Sequence, residues 1–383
     1  MARPRSRRCI LQFSPARSEG FPIHCPSVAS LWDHDRSIPS GWRRPMKDFA
    51  GMSETIAPLS IYPCCPLTGS VMHPGLTVPI DWRRPADRRA WQIWWNADDG
   101  FGQVFPRPRP SEVASFYDID AYYTHAERYK PDVEAEAESV GLLGKVLGAL
   151  AYRFERGAEP TSAWWRSIIP AGSENGLEIG CGDGDRMRTF GPHLRHVRGV
   201  EPDPRAVRVA RERGLDVMEG TAEQLPAEVQ DRRYDLIVFS HVLEHTLDPV
   251  LALANARELL TEDGVMSVEV PNNASEGSRR MGPRWRWLDV PRHLNFFTPE
   301  SLQACAEAAG LKVQAVLYRG YVRQFLPDWM VDEARITAEM ERRDVTQADI
   351  DAQVRHSARL FAATALAEPR KKYDSVRVIC TRD

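Results

Sequence analysis

Two short stretches of this chain carry residues whose types and spacing suggest chemistry. The first is Leu177-Glu-Ile-Gly-Cys-Gly-Asp-Gly184, with three glycines at alternate positions directly after an apolar run. Gly180, Gly182 and Gly184 let a backbone turn tightly and approach a ligand with no Cβ in the way. Glu201 stands 21 positions beyond Gly180, at the end of the next apolar run. An acid there can accept hydrogen bonds from both hydroxyls of a nucleoside ribose. Position 185 is Asp, so the loop departs from the dinucleotide fingerprint G-x-G-x-x-G. Glu178 adds a carboxylate beside the loop, which suits a ligand bearing an ammonium or sulfonium better than one bearing a pyrophosphate. The plainer reading of Glu178 is a solvated charge at a strand end.

The second stretch is Ser240-His-Val-Leu-Glu-His245. H-x-x-E-H is the signature of one class of zinc peptidase. That chemistry needs the motif within a long helix and a further protein ligand from elsewhere. Here it follows an apolar run in the same series as the glycine loop, at the mouth of what reads as a nucleoside site, so the peptidase reading is set aside.

The elements that must position these residues alternate regularly. Strand-like runs occur at 176–179, 196–201, 216–218, 236–239, 265–270 and 313–317, with helical patterns over 203–213, 249–260 and 298–309. Strand and helix at this rhythm imply an α/β fold with a parallel sheet covered on both faces. Ser375-Val-Arg-Val-Ile-Cys380 closes the chain as one more strand. Residues 132–170 read as helical, with Val140, Leu143, Val146, Leu147 and Leu150 as the apolar face and a break at Gly157–Thr161.

Bulk properties narrow the class. The 383 residues are 43% hydrophobic and 27% charged, with a mean hydropathy of −0.42, as expected of a soluble globular protein. A net charge of −3 gives no general attraction to nucleic acid or anionic membrane. The longest apolar run, Gly141–Leu150, is too short to span a bilayer and contains Lys145. Seven cysteines without a C-x-x-C pair suggest neither a disulfide framework nor a four-cysteine zinc site, and a reducing, cytoplasmic setting is expected. Residues 1–58, rich in Arg, Ser and Pro at their start, read as a disordered extension, with Met46 or Met52 as a natural beginning.

Four motifs in order, Leu177–Gly184, then Gly199-Val-Glu-Pro202, then Gly220-Thr-Ala-Glu-Gln-Leu-Pro226, then Asp235–His245, resemble a class I S-adenosylmethionine-dependent methyltransferase of the bacterial small-molecule type, close to the quinone-precursor O-methyltransferases. The resemblance covers residues 171–383. It implies a doubly wound, seven-stranded Rossmann-like sheet with an antiparallel last hairpin, and S-adenosylmethionine as cofactor. It places Glu178, Gly180, Gly182, Gly184 and Ser240 around the cofactor and Glu201 on its ribose. Thr221, Ala222 and Glu223 should border the adenine; the position that is commonly an acid is Thr221 here, leaving Glu223 or a backbone carbonyl to serve. It also implies a helix beginning near His241. On that helix His241, Glu244 and His245 would share one face and either hold a divalent ion or merely brace the cofactor loop. The ion's first ligand would be His rather than an acid, so the expectation is that activity needs no metal.

On the acceptor side, His293 and, second to it, His241 are the candidate proton acceptors; His293 is equally readable as a structural histidine. Arg279-Arg-Met-Gly-Pro-Arg-Trp-Arg-Trp287 reads as a pocket for an anionic acceptor, as a solvated lid, or, against the net acidic charge, as an RNA-binding surface. Residues 59–130 resemble a zinc-ribbon-like module that has lost its metal, its ligand pairs reading Cys65/Thr68 and Asn96/Asp99, with Tyr122–Tyr123 lying over the site and a helical lead-in at 131–170. The expected activity is methyl transfer to a small molecule. A non-catalytic cofactor-binding protein and a zinc hydrolase using residues 241–245 stand as alternatives, and the oligomeric state is left open.

Overall fold

The computed structural model describes residues 63–119 and 138–383. The extension expected over 1–58 and the Tyr122–Tyr123 segment lie outside the described residues.

Seven strands form the main sheet: β4 (Asn175–Ile179), β5 (His196–Glu201), β6 (Asp216–Glu219), β7 (Tyr234–Ser240), β8 (Leu260–Pro271), β10 (Leu311–Arg319) and β11 (Ser375–Arg382). Their order is β10-β11-β8-β7-β4-β5-β6, with β11 antiparallel to both neighbours and the first five in sequence parallel. This is the α/β doubly wound sheet and closing hairpin that the motifs imply. The strand order reverses between β4 and β7, so their carboxyl ends flank the crevice where such sheets bind ligands.

The helices are α1 (Gly141–Phe154), α2 (Ser162–Ile168), α3 (Pro204–Glu212), α4 (Pro249–Leu259), α5 (Pro299–Ala308), α6 (Pro327–Met340) and α7 (Gln347–Thr364), with shorter turns between them. Local chemistry starts them where they start. Asp203 accepts from the Arg205 amide ahead of Pro204, and Asp248 accepts from the Leu251 amide ahead of Pro249. Each pair satisfies an orphan helix donor and presets the first helical φ. The α1 face differs from the one the apolar spacing predicts. Gly144, Leu147, Gly148 and Ala151 are buried, whereas Leu143 and Val146 are exposed. A Cβ at Gly144 would stand 3.2 Å from the Met330 methyl, and one at Gly148 3.1 Å from the Phe325 carbonyl. Close packing through small residues, of Gly144 on Met330 of α6 and of Gly148 on the Val322–Phe325 turn before it, outweighs the bulkier stripe.

The N-terminal residues make a second sheet, β1 (His73–Val78), β2 (Trp91–Asn96) and β3 (Phe101–Val104), antiparallel throughout. Its fourth strand is β9 (Asn295–Phe297), donated by the loop that follows β8. Trp91, Trp95 and Phe116 pack with Leu288, Val290 and Phe296 from that loop into one core. The positions read as relics of zinc ligands bond to one another: Thr68 Oγ1 donates to Asp99 at 2.6 Å, and the Asp99 amide donates to Asn96 at 2.9 Å.

Candidate active site

The glycine loop is built for close approach. Gly180 has φ +70, and a Cβ there would lie 2.3 Å from Val242, so only glycine fits. Glu178 precedes it on β4 with 2% exposure. One carboxylate oxygen lies 3.4 Å from the Arg186 guanidinium; the other is buried with no hydrogen-bond partner. Burial, with Glu201 and Asp183 adding to it against Arg186, pushes Glu178 up to about 8. On the adjoining β7 the Ser240 hydroxyl is likewise buried without a partner. Glu201 ends β5 on the other side, accepting from the Gly182 amide at 2.8 Å and the Asp203 amide at 3.0 Å. Burial raises it to about 7 despite those bonds. The three strand ends thus bring Glu178, Gly180, Gly182, Glu201 and Ser240 around one crevice, and Gly184 turns the loop away at φ +82.

Beyond β6, Ala222 is buried and Thr221 exposed. Glu223 turns one carboxylate oxygen toward the loop after residue 245. That oxygen accepts from the Leu247 amide at 2.7 Å and so holds the loop.

Ser240–His245 departs from the expected helix. His241 has φ +56, a single 3₁₀ turn covers Leu243–His245, and helix begins only at Pro249. The shared helical face of His241, Glu244 and His245 therefore does not form, and the long helix that a zinc hydrolase needs is missing from this stretch. His241 instead lies between two carboxylates, with Nδ1 3.2 Å from Glu244 and Nε2 3.0 Å from Glu269. Burial opposes its charge, but the two carboxylates outweigh burial and hold its pKa above the ordinary value. Its ring stacks on Trp287 at 4.6 Å and 9°. Glu269 also pairs with the buried Arg377 and, at 3.0 Å, with Arg319.

The structure brings His293 to Glu244 and His245 instead: ligand atoms of these three lie within 4.8 Å of one another. The second Glu244 oxygen is buried without a partner. Burial first, and the neighbouring His245, push His293 down to about 3. Both proposed proton acceptors are thereby compromised. His241 has both ring nitrogens engaged by carboxylates, and His293, pushed down by burial, resists taking a proton.

The arginine and tryptophan run is largely neutralised. Arg279 and Arg280 pair with Glu276, Arg286 with Asp328 and Asp332, and Trp285 is buried. The charges of Arg279, Arg280 and Arg286 are thereby balanced by carboxylates, while Arg284 is exposed. The residues that sequence reasoning missed are Glu269, Arg319, Arg377 and Tyr117. The only signal was a lone carboxylate, Glu269, inside the apolar run 265–270.

Residues 147–316 match the family described as a methyltransferase domain. A ubiquinone biosynthesis O-methyltransferase of Azorhizobium caulinodans is 30% identical over 216 residues, covering 53% of this chain and 81% of that one. The chain belongs to the class I S-adenosylmethionine-dependent methyltransferases. A second ubiquinone biosynthesis O-methyltransferase, from Cereibacter sphaeroides, is 34% identical over 147 residues, and the chain spans 59% of its length. Among solved structures, a methyltransferase of Archaeoglobus fulgidus is similar at 18% identity and a TM-score of 0.37, covering 58% of this chain and 92% of that one.

The methyltransferase's own residues fit its cofactor. A partnerless buried carboxylate oxygen at Glu178 and a partnerless hydroxyl at Ser240 are the groups that the ammonium of a zwitterionic amino-acid tail would satisfy. A positive partner favours the charged form of Glu178, which is mostly protonated at pH 7 in the free protein given a value of about 8. Binding of S-adenosylhomocysteine at pH 7 should therefore release about one proton. Calorimetry in buffers of different ionisation enthalpy reads this directly. Glu178→Gln should remove most of the release, leaving the smaller share that comes from Glu201 at about 7, and a wild-type protein that releases none would contradict the assignment.

Proposed function

We propose that this methyltransferase, acting in the cytoplasm, transfers the methyl group to a phenolic oxygen of a small aromatic acceptor of the quinone-precursor class. The observation that carries the reading is the state of its histidines. Both nitrogens of His241 face carboxylates, and His293 is held neutral and weakly basic. With these two histidines unable to serve as strong bases, a hydroxyl that ionises near the phenol value of about 10 suits the site better than a sugar alcohol. The relatives' names, ubiquinone biosynthesis O-methyltransferases, support the same class.

Bound S-adenosylmethionine supplies an electrophilic methyl on its sulfonium. The chain's part is positional. Glu178 and Ser240 hold the methionine end, Glu201 accepts from the ribose hydroxyls, and Thr221 with the Ala222 backbone borders the adenine. The His241–Glu269–Arg377 network fixes the floor on which Trp287 lies. No anionic acceptor is required, since Arg279, Arg280 and Arg286 already have carboxylate partners.

One observation favours a second reading. Glu244, His245 and His293 would hold a divalent ion, which lowers the pKa of a bound hydroxyl. A single assay decides both points. The full chain is supplied with S-adenosylmethionine and, in parallel, 3,4-dihydroxybenzoate, a hexose and an alkylamine, before and after dialysis against EDTA. Methyl ether on the catechol alone, undiminished by EDTA, is the expected result. Methylation of only the hexose or amine would overturn the phenolic assignment. Loss on chelation, restored by Mg²⁺ or Zn²⁺, would transfer the role of activating the acceptor to the three-residue cluster.

A further inference from the structure

We propose that Tyr117, delivered by the segment that leaves the small N-terminal sheet, is a positioning residue of the methyl-transfer site: with the Arg292 carbonyl it fixes the proton of His245 on Nδ1 and leaves the lone pair on Nε2. This rests on the reading of the Ser240–His245 loop as the acceptor side.

The geometry is specific. Tyr117 Oη lies 2.8 Å from His245 Nδ1, and the Arg292 carbonyl oxygen lies 3.1 Å from the same nitrogen. A carbonyl only accepts, so a bare Nδ1 would set two lone pairs against each other there. Nδ1 therefore donates. The tyrosine hydroxyl, able to donate or accept, takes the acceptor's part at that corner. Neutral imidazole then has its remaining lone pair at Nε2, on a ring that stands edge-on to His293 at 4.6 Å.

Tyr117 does not hang loosely. Its carbonyl accepts from Arg205 at 2.9 Å, and Arg205 is held by Asp203, whose amide donates to Glu201. The preceding Phe116 is clamped: its ring meets Trp91 edge-on at 5.4 Å and its carbonyl accepts from Arg292 at 3.2 Å. Arg107 adds a second clamp, donating to the carbonyls of Thr246, Leu247 and Leu294. One tyrosine thus joins the ribose-binding loop to the loop that carries His245. A zinc-less relic would have no reason to reach there, whereas a positioning element would.

The test uses the full chain with ¹⁵N-labelled histidine. In the wild type, the resonances that vanish in His245→Gln should be those of a neutral ring protonated on Nδ1. In Tyr117→Phe, which keeps the packed ring, those resonances should shift. S-adenosylhomocysteine affinity should stay within about twofold, and kcat on 3,4-dihydroxybenzoate should fall roughly tenfold at unchanged KM for S-adenosylmethionine, the scale of one lost hydrogen bond. A wild-type His245 protonated on Nε2 would overturn the proposal. So would a Tyr117→Phe protein with unaltered His245 resonances and kcat, or one whose kcat and cofactor affinity fall together. The NMR arm needs no acceptor, so it still decides the matter if the catechol proves inert and the phenolic reading fails.

Discussion

Arg292→Met should destabilise the protein by about 3–5 kcal/mol, the range found when one partner of a buried ion pair is removed. Arg292 is fully buried and forks onto two acids, donating to Asp81 at 2.6 and 3.0 Å and to Asp289 at 2.9 and 3.0 Å. Burial opposes the charge on Asp289, but Arg292 and then Arg83 hold its carboxyl well below the usual carboxylate range. Without the guanidinium, among the described residues Asp81 would be left buried with no ion-pair partner, and Asp289 would keep Arg83 at 2.9 Å. Urea unfolding at neutral pH measures the loss, and adding Asp81→Asn to the variant should recover part of it, because one stranded charge is removed. A single variant within about 1 kcal/mol of the wild type would show that the pair is incidental.

Glu201→Ala should abolish useful cofactor binding. Its carboxylate holds the glycine loop through the Gly182 and Asp203 amides, and the proposed cofactor role has it accept from the ribose as well. Hydrogen bonds to a charged group contribute about 1.5–3 kcal/mol each, so losing the ribose contacts should weaken S-adenosylhomocysteine binding roughly a hundredfold or more. Calorimetry of wild type and variant reads this. Glu201→Gln separates the contributions, since an amide can still accept from one hydroxyl but carries no charge. A variant that binds within threefold of the wild type would remove Glu201 from the cofactor site.

The main sheet was legible because its physics is local and periodic. Each strand is a short apolar run, and two of the helices between them announce themselves by a capping acid and a proline, at Asp203-Pro204 and Asp248-Pro249. The glycine loop was legible because a tight turn leaves a local mark: Gly180 sits at φ +70, where other residues are strained. The acceptor side was not. His241 was given a helical neighbourhood, yet its left-handed backbone and the Glu269 carboxylate arise from packing across two strands, which spacing along one segment does not encode. Nor does anything in Asn295-Phe296-Phe297 reveal a strand whose partner, Phe101–Gln103, lies far back in the chain. The α1 stripe held only in part: Val140 and Leu147 are buried, but Leu143 and Val146 are exposed because the small face at Gly144 and Gly148 is where α6 and the turn before it approach.

The sharing of β9 between the two sheets has a bearing on how this protein could be divided. Residues 63–119 hold their sheet complete only with Asn295–Phe297, and they bury Asp81 against Arg292 and Arg107 against the 246–247 turn. A backbone cut between residues 119 and 138 would sever the covalent link and leave every one of those contacts in place. The two pieces would then behave as a split protein: co-purifying as one particle, separating only under denaturant, and regaining function on mixing, with the smaller fragment acting as a subunit of the larger.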